Sequence, residues 1–138
     1  MIIYADMVAD LFHPGHICFF KKILKKYPNC KLYVGLMSDK EAERYKREPI
    51  LNIEERHTMV SSCKYVDKVF KNAPMPITLE FIQMEKIDKV IHANDISEAS
   101  RKYWYRIPIE LGIYDELEYT KGISTSDIIK RVKDHKIV

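Results

Sequence analysis

A chain of 138 residues can bury one sizeable core, so a single domain over 1–138 is expected. Its net charge of +3 is too mild to argue for a nucleic-acid partner, though it suits a small polyanion, and no apolar run approaches the ~20 residues of a membrane span. The opening "MIIYADMVAD" lacks the basic stretch and cleavage site of a signal peptide, and Cys18, Cys30 and Cys63 follow no pairing pattern, so a reduced, cytoplasmic protein is expected.

Short apolar, β-branched runs predict strands at 1–5 ("MIIYA"), 31–37, 67–70, 88–93 and, more weakly, 114–119. Helical patterns lie between them. After Pro14, Ile17, Phe20, Ile23 and Leu24 recur at helical spacing with Lys21, Lys22, Lys25 and Lys26 opposite, and Pro28 and Asn29 stop the run. Further helices are predicted at 39–46, 53–63, 78–86, 98–110 and 125–135. Regular alternation of strand and helix predicts an α/β fold: a doubly wound, Rossmann-like parallel sheet of about five strands covered on both faces. Ligands of such folds bind beyond the carboxyl ends of the strands. Three polar clusters fall there: "HPGH" (13–16), "HAND" (92–95) and "TKGISTSD" (120–127).

In "HPGH", Pro14 suits the first position of a helix, Gly15 allows close approach to the backbone, and His13 and His16 share a face. Two imidazoles at a helix N-terminus, where unpaired N–H groups favour an anion, suit a phosphate. The same residues also suit a metal pair extended by Cys18 or plain structural histidines, although no other spacing here resembles a zinc module. The second cluster shifts the balance. A capped helix needs one hydroxyl, yet Ser124, Thr125 and Ser126 follow Gly122, with Asp127 at capping-box spacing from Ser124. Two helix starts converging on one sheet edge would cradle a polyphosphate.

Together "HPGH" and "GISTSDII" resemble the signatures of the cytidylyltransferases that activate phosphocholine, phosphoethanolamine and glycerol 3-phosphate. The stretch 52–82 is similar to the middle of the choline and ethanolamine types, and "DKVIHANDI" (88–96) looks closest to the ethanolamine-phosphate type. The resemblance implies a nucleotidyltransferase (HxGH) fold in a single catalytic domain, usually a homodimer. It implies CTP and a small phosphorylated alcohol or amine as substrates, and Mg²⁺ bound mainly through CTP with no dedicated protein metal site. No stretch resembles the membrane-binding helix of some relatives, so no membrane partner is expected. "KYVDKVF" (64–70) matches a segment of the family's dimer interface.

Carried over by position, the resemblance makes His13 and His16 the catalytic histidines and Lys46 the lysine bridging CTP and the acceptor phosphate. It puts Val8, Ala9, Asp10, Arg56, Asn94, Tyr119, Thr120, Gly122, Ile123, Ser124, Thr125 and Ser126 on the nucleotide and Lys46 and Asp95 on the acceptor, to which the chemistry of its aromatic ring adds Trp104. Two departures stand out. Met7 and Ala9 occupy places where the family usually has glycine and an aromatic, and Tyr119 replaces an arginine that would contact the nucleotide, with Lys121 a candidate to compensate.

Attack of a phosphate monoester on the α-phosphorus of a nucleoside triphosphate needs alignment and charge neutralisation and no protein nucleophile. The residues named above supply both. For the acceptor, Tyr103, Trp104 and Tyr105 offer a cage for an ammonium with Asp95 as counter-charge, although such clusters more often pack as core. Met75 stands where the choline type carries tryptophan, which weakens a choline cage. An adenylyltransferase, a glycerol-3-phosphate enzyme or a non-catalytic nucleotide-binding module are the competing readings. His92, at the end of the fourth predicted strand, is the only further histidine near these clusters.

Overall fold

A computed structural model describes residues 1–136. Five strands, β1 (Ile2–Met7), β2 (Lys31–Leu36), β3 (Lys68–Phe70), β4 (Lys89–Ala93) and β5 (Tyr114–Leu117), form one sheet in the order β3-β2-β1-β4-β5. Every neighbouring pair runs parallel. The helices are α1 (Pro14–Lys26), α2 (Asp39–Tyr45), α3 (Ile53–Ser61), α4 (Leu79–Met84), α5 (Glu98–Trp104), α6 (Arg106–Glu110) and α7 (Thr125–Asp134).

The sheet is buried on both faces, which is why its central strands read as continuous apolar runs. Along β1, Ile3 and Ala5 face a core with Phe20, Ile23, Leu32, Val34, Val60 and Ile91, while Tyr4 between them faces Ile77, Ile82, Ile87, Val90 and Tyr105. The sequence-predicted α/β parallel sheet is therefore the observed one, with ends shifted by a few residues. Asp67 and Asp88, expected inside strands, instead cap neighbours: their carboxylates accept from the N–H groups of Leu32 (2.8 Å) and Ile2 (2.7 Å).

One expected helix is two. The 98–110 run breaks at Tyr105, between α5 and α6. Pro108 has no N–H to give the carbonyl of Trp104 four residues back, and that carbonyl accepts from Ile77 N instead, at 3.3 Å. The break lets Tyr105 turn into the core, where it is 2% exposed, while Tyr103 points out at 61%.

Chain order reverses between β1 and β4, so the carboxyl ends of these two strands open a crevice at the switch point. No helix among the described residues is long and apolar enough to cross a membrane.

Candidate active site

A cavity of about 310 Å³ opens at that crevice. It is lined by the loop after β1, the start of α1, the end of α2, the residues after β4, and the approach to α7.

The loop after β1 turns sharply, with Ala9 (φ +56°) and Leu11 (φ +49°) in the left-handed region. Met7, in contrast, is the last residue of β1 and pairs with Leu36, so this backbone does not need the glycine usual there. Asp10 holds the turn. Its buried carboxylate accepts from the N–H groups of Leu11 (3.1 Å), Ile50 (2.8 Å) and Leu51 (2.9 Å), clamping the α2–α3 loop onto the loop after β1.

His13 and His16 cap α1 reciprocally. Gly15 N–H donates to His13 Nδ1 at 3.0 Å, and His13 N–H donates to His16 Nδ1 at 3.1 Å. Histidine is an unusual capping residue, and its use here has a chemical consequence. With both Nδ1 atoms accepting, the proton of each neutral ring sits on Nε2. Burial lowers the pKa of His13, partly opposed by the Asp127 carboxylate; burial, then the neighbouring His13 ring, lowers that of His16 to about 3. The ring centroids lie 3.9 Å apart, and Phe12 stacks on His16 at 5.4 Å. The corner therefore presents two neutral imidazoles as Nε2–H donors.

The start of α7 closes on this corner. A Cβ on Gly15 would sit 3.0 Å from the carbonyl oxygen of Ile123, so glycine is what lets the two segments meet. The three hydroxyls have three tasks. Ser124 caps α7 by accepting from Asp127 N at 3.2 Å, Thr125 Oγ1 donates to the carbonyl of Asp10 at 2.9 Å, and Ser126 Oγ accepts from Arg47 Nη1 at 3.2 Å. Gly122 takes φ +112°, a conformation that excludes most side chains. Thr120 Oγ1 is buried on the cavity wall with no partner among the described residues.

Of the sequence-predicted residues, Val8, Ala9, Asp10, His13, His16, Lys46, Asp95, Trp104, Tyr119, Thr120, Ile123, Ser124 and Thr125 line the cavity. Arg56, Asn94, Gly122 and Ser126 do not. Arg56, expected on the nucleotide, is fully buried below it, donating to the carbonyls of Leu51 (3.1 Å), Val8 (2.7 Å) and Met37 (2.9 Å) and pairing with Asp39 at 2.6 Å. It is a strut fixing the loop after β1 to α2 and α3. Asn94 is exposed and its Oδ1 accepts from Tyr119 N at 2.9 Å, which ties the strand-four loop to the approach to α7.

The opposite end of the cavity is acidic and aromatic: Asp6, Tyr45, Met75, His92, Asp95, Trp104 and Tyr105. Tyr105 OH donates to Asp6 Oδ1 at 2.5 Å, while Asp6 Oδ2 is buried with no hydrogen-bond partner among the described residues. Burial raises the Asp6 pKa above the usual carboxylate value, against the opposing effects of Tyr105 and His92. His92 Nδ1 lies 2.7 Å from Ala93 O and donates to it. Tyr45 and Trp104 meet edge-on at 6.4 Å. The aromatic triplet therefore divides: Trp104 and the buried Tyr105 line the cavity, while Tyr103 is exposed and off its lining. Asp6, Tyr45 and Arg47 were missed by sequence reasoning. Only Asp6 carried a signal, as the first charge after an apolar strand run.

A parallel 3-2-1-4-5 sheet with two helix starts and paired histidines at its carboxyl edge defines a Rossmann-like α/β protein with a crevice at its switch point. The chain belongs to the cytidylyltransferase-like family, whose model matches residues 5–131. Choline-phosphate cytidylyltransferase A of Rattus norvegicus is 40% identical over 98% of the chain. The probable choline-phosphate cytidylyltransferase of Schizosaccharomyces pombe is 41% identical over 94%, and the ethanolamine-phosphate cytidylyltransferase of Dictyostelium discoideum 36% identical over 99%. The chain spans 37%, 36% and 39% of the lengths of these three relatives. A crystal structure of a lipopolysaccharide core biosynthesis protein from Thermoplasma volcanium GSS1 shares the fold, with a TM-score of 0.65 and 23% identity over 89% of this chain and 98% of that one.

Proposed function

We propose that this chain, as a single catalytic domain, transfers CMP from CTP to the phosphate of a small amino alcohol, giving a CDP-alcohol and pyrophosphate. The observation that carries the reading is the meeting of the His13–His16 corner and the α7 start over one cavity, tied by Thr125 Oγ1 to Asp10 O. In this reading the triphosphate lies between the two helix N-termini, whose dipoles favour an anion. His13 and His16 donate Nε2–H to phosphate oxygens that gain charge as the acceptor oxygen attacks the α-phosphorus and pyrophosphate leaves on the opposite side. Neutral donors of this kind gain strength as that charge develops. Lys46, at the end of α2 and on the cavity lining, bridges nucleotide and acceptor phosphate.

The acidic, aromatic end suits a cation. Asp6 and Asp95 provide counter-charge and Trp104 and Tyr45 provide ring faces for an ammonium group. Relatives named for both choline phosphate and ethanolamine phosphate are consistent with this class, and cytidylyl names among them favour CTP over ATP. The donor set fits an Mg²⁺ ion carried mainly by the phosphates. Asp10 has both oxygens committed to N–H groups, and among the described residues no three His, Cys, Asp or Glu side chains converge. Such an ion supplies charge neutralisation and orients the phosphate oxygens. Pairing of two copies along the β3 edge, through Lys64–Phe70, accords with the exposed position of that strand in the sheet. Three free cysteines accord with a cytoplasmic setting.

The test is a pyrophosphate-release assay with each nucleoside triphosphate and Mg²⁺ against phosphoethanolamine, phosphocholine and glycerol 3-phosphate. The reading expects CTP with an amino-alcohol phosphate to give the highest turnover. Preference for ATP, or for glycerol 3-phosphate, would overturn it.

A further inference from the structure

A triphosphate brings several negative charges into a cavity whose phosphate end is largely uncharged. The imidazoles are held neutral by burial, the hydroxyls carry no charge, and each helix start contributes only ~+0.5. Three carboxylates, Asp6, Asp10 and Asp95, also line the space. Among the described lining residues, the side chains with a permanent positive charge are Lys46 and Arg47. Lys121, the neighbour of Tyr119 that chain position puts forward in place of a missing arginine, is exposed and lies off the lining.

Arg47 is well placed for the task. It follows the C-cap of α2, its N–H held by the carbonyl of Ala42 at 3.2 Å, and its backbone sits in the segment that Asp10 clamps at Ile50 and Leu51. Its side chain lines the cavity and its guanidinium donates to Ser126 Oγ in the first turn of α7, a 3.2 Å bond to a neutral acceptor. A guanidinium bond to phosphate is shorter, charge-assisted and about twice as strong, and the planar fork can engage two phosphate oxygens at once. Exchange of Ser126 for phosphate is therefore downhill.

We propose that Arg47 is a triphosphate-binding residue of this chain, leaving Ser126 to grip the phosphates beyond the α-phosphate and taking the part for which position alone suggests Lys121. This rests on the nucleotide reading above. It makes Arg47 a determinant of triphosphate over monophosphate binding.

Calorimetric titration with CTP and with CMP separates the possibilities, using wild type, Arg47→Ala, Arg47→Gln, Arg47→Lys and Lys121→Ala. Losing a charged hydrogen-bonding partner predicts ~10- to 100-fold weaker CTP binding in Arg47→Ala and Arg47→Gln, with CMP affinity changed by less than ~3-fold. Arg47→Lys recovers part of the loss, and Lys121→Ala binds CTP like wild type. Arg47→Gln retains a side chain able to reach Ser126, so it keeps the test open should the alanine variant fold poorly. Equal weakening of CTP and CMP would make Arg47 only a strut between the α2–α3 loop and α7, and overturn the proposal. Unchanged CTP affinity in both neutral variants, or a CTP-specific loss in Lys121→Ala instead, would also overturn it. Wild type that binds neither nucleotide would overturn the nucleotide reading itself, an outcome read before any variant.

Discussion

At the end of the cavity proposed for the phosphates, the groups come from two contiguous stretches, His13–His16 and Ile123–Thr125, each fixed by bonds to its own helix start. At the acceptor end, Asp6, Tyr45, Met75, His92 and Trp104 arrive from separate elements and meet only because the sheet and the α5–α6 break bring them together. The first is preorganised by local backbone chemistry. The second is assembled by tertiary packing, so its shape can change without disturbing the first. On the proposed reading, one domain can thereby keep its reaction while its acceptor changes.

Breaking the phosphate end has the largest expected effect. His16→Ala removes a preorganised donor and lowers turnover by at least ~100-fold with the fold retained, as circular dichroism and steady-state rates would report. Unchanged turnover would remove His16 from the chemistry. Breaking the acceptor end is expected to spare CTP. Asp6→Asn keeps an acceptor for Tyr105 OH but removes the charge, so acceptor KM rises ~10- to 100-fold while CTP KM stays put. In wild type, acceptor KM falls as pH rises through the raised Asp6 pKa, and the Asn variant flattens that profile. A CTP KM that moved equally would mean the two ends are not separable.

Two smaller effects sharpen the contrast. His13 and His16 titrate below their unfolded value of 6.5, so the unfolded chain takes up protons first in acid. Their contribution to stability is complete above pH 6.5 and declines as pH falls toward about 3, the folded pKa of His16. Urea melts at pH 7 and pH 5 should show this loss, and His16→Ala should reduce it. Thr125→Val removes the single bond to Asp10 O and should cost ~1 kcal/mol of stability with a several-fold rise in CTP KM. A larger effect on the acceptor than on CTP would contradict the division of the cavity.

The same contrast explains what could be read from sequence. Strands and helices alternate with clear periods, so the parallel sheet was legible, apart from the Pro108 break, whose cause is a missing N–H inside an otherwise helical pattern. The histidine corner and the serine-threonine turn were legible because each is contiguous and sits at a helix start. Arg56 shows the limit: position suggested a ligand contact, whereas burial turned its donors toward three carbonyls and Asp39. Arg47 and Tyr45 were invisible for the opposite reason, being ordinary polar residues on a short helix end until the fold aims them at the cavity. Tyr105 reached Asp6 only through a contact 99 residues apart in the chain.

No residue among the ten of α7 is buried, and its recorded ties to the sheet side concentrate in its first turn, through Thr125 and Ser126. The wall that completes the phosphate cradle is thus the part of it with the least apolar anchorage, and its local opening costs less than that of β1 or α1. A bound nucleotide would supply the missing attachment, so amide protons of α7 should exchange more slowly in proportion to ligand occupancy while those of the sheet centre stay indifferent. Nucleotide concentration, in that case, is written into the solvent protection of a single helix.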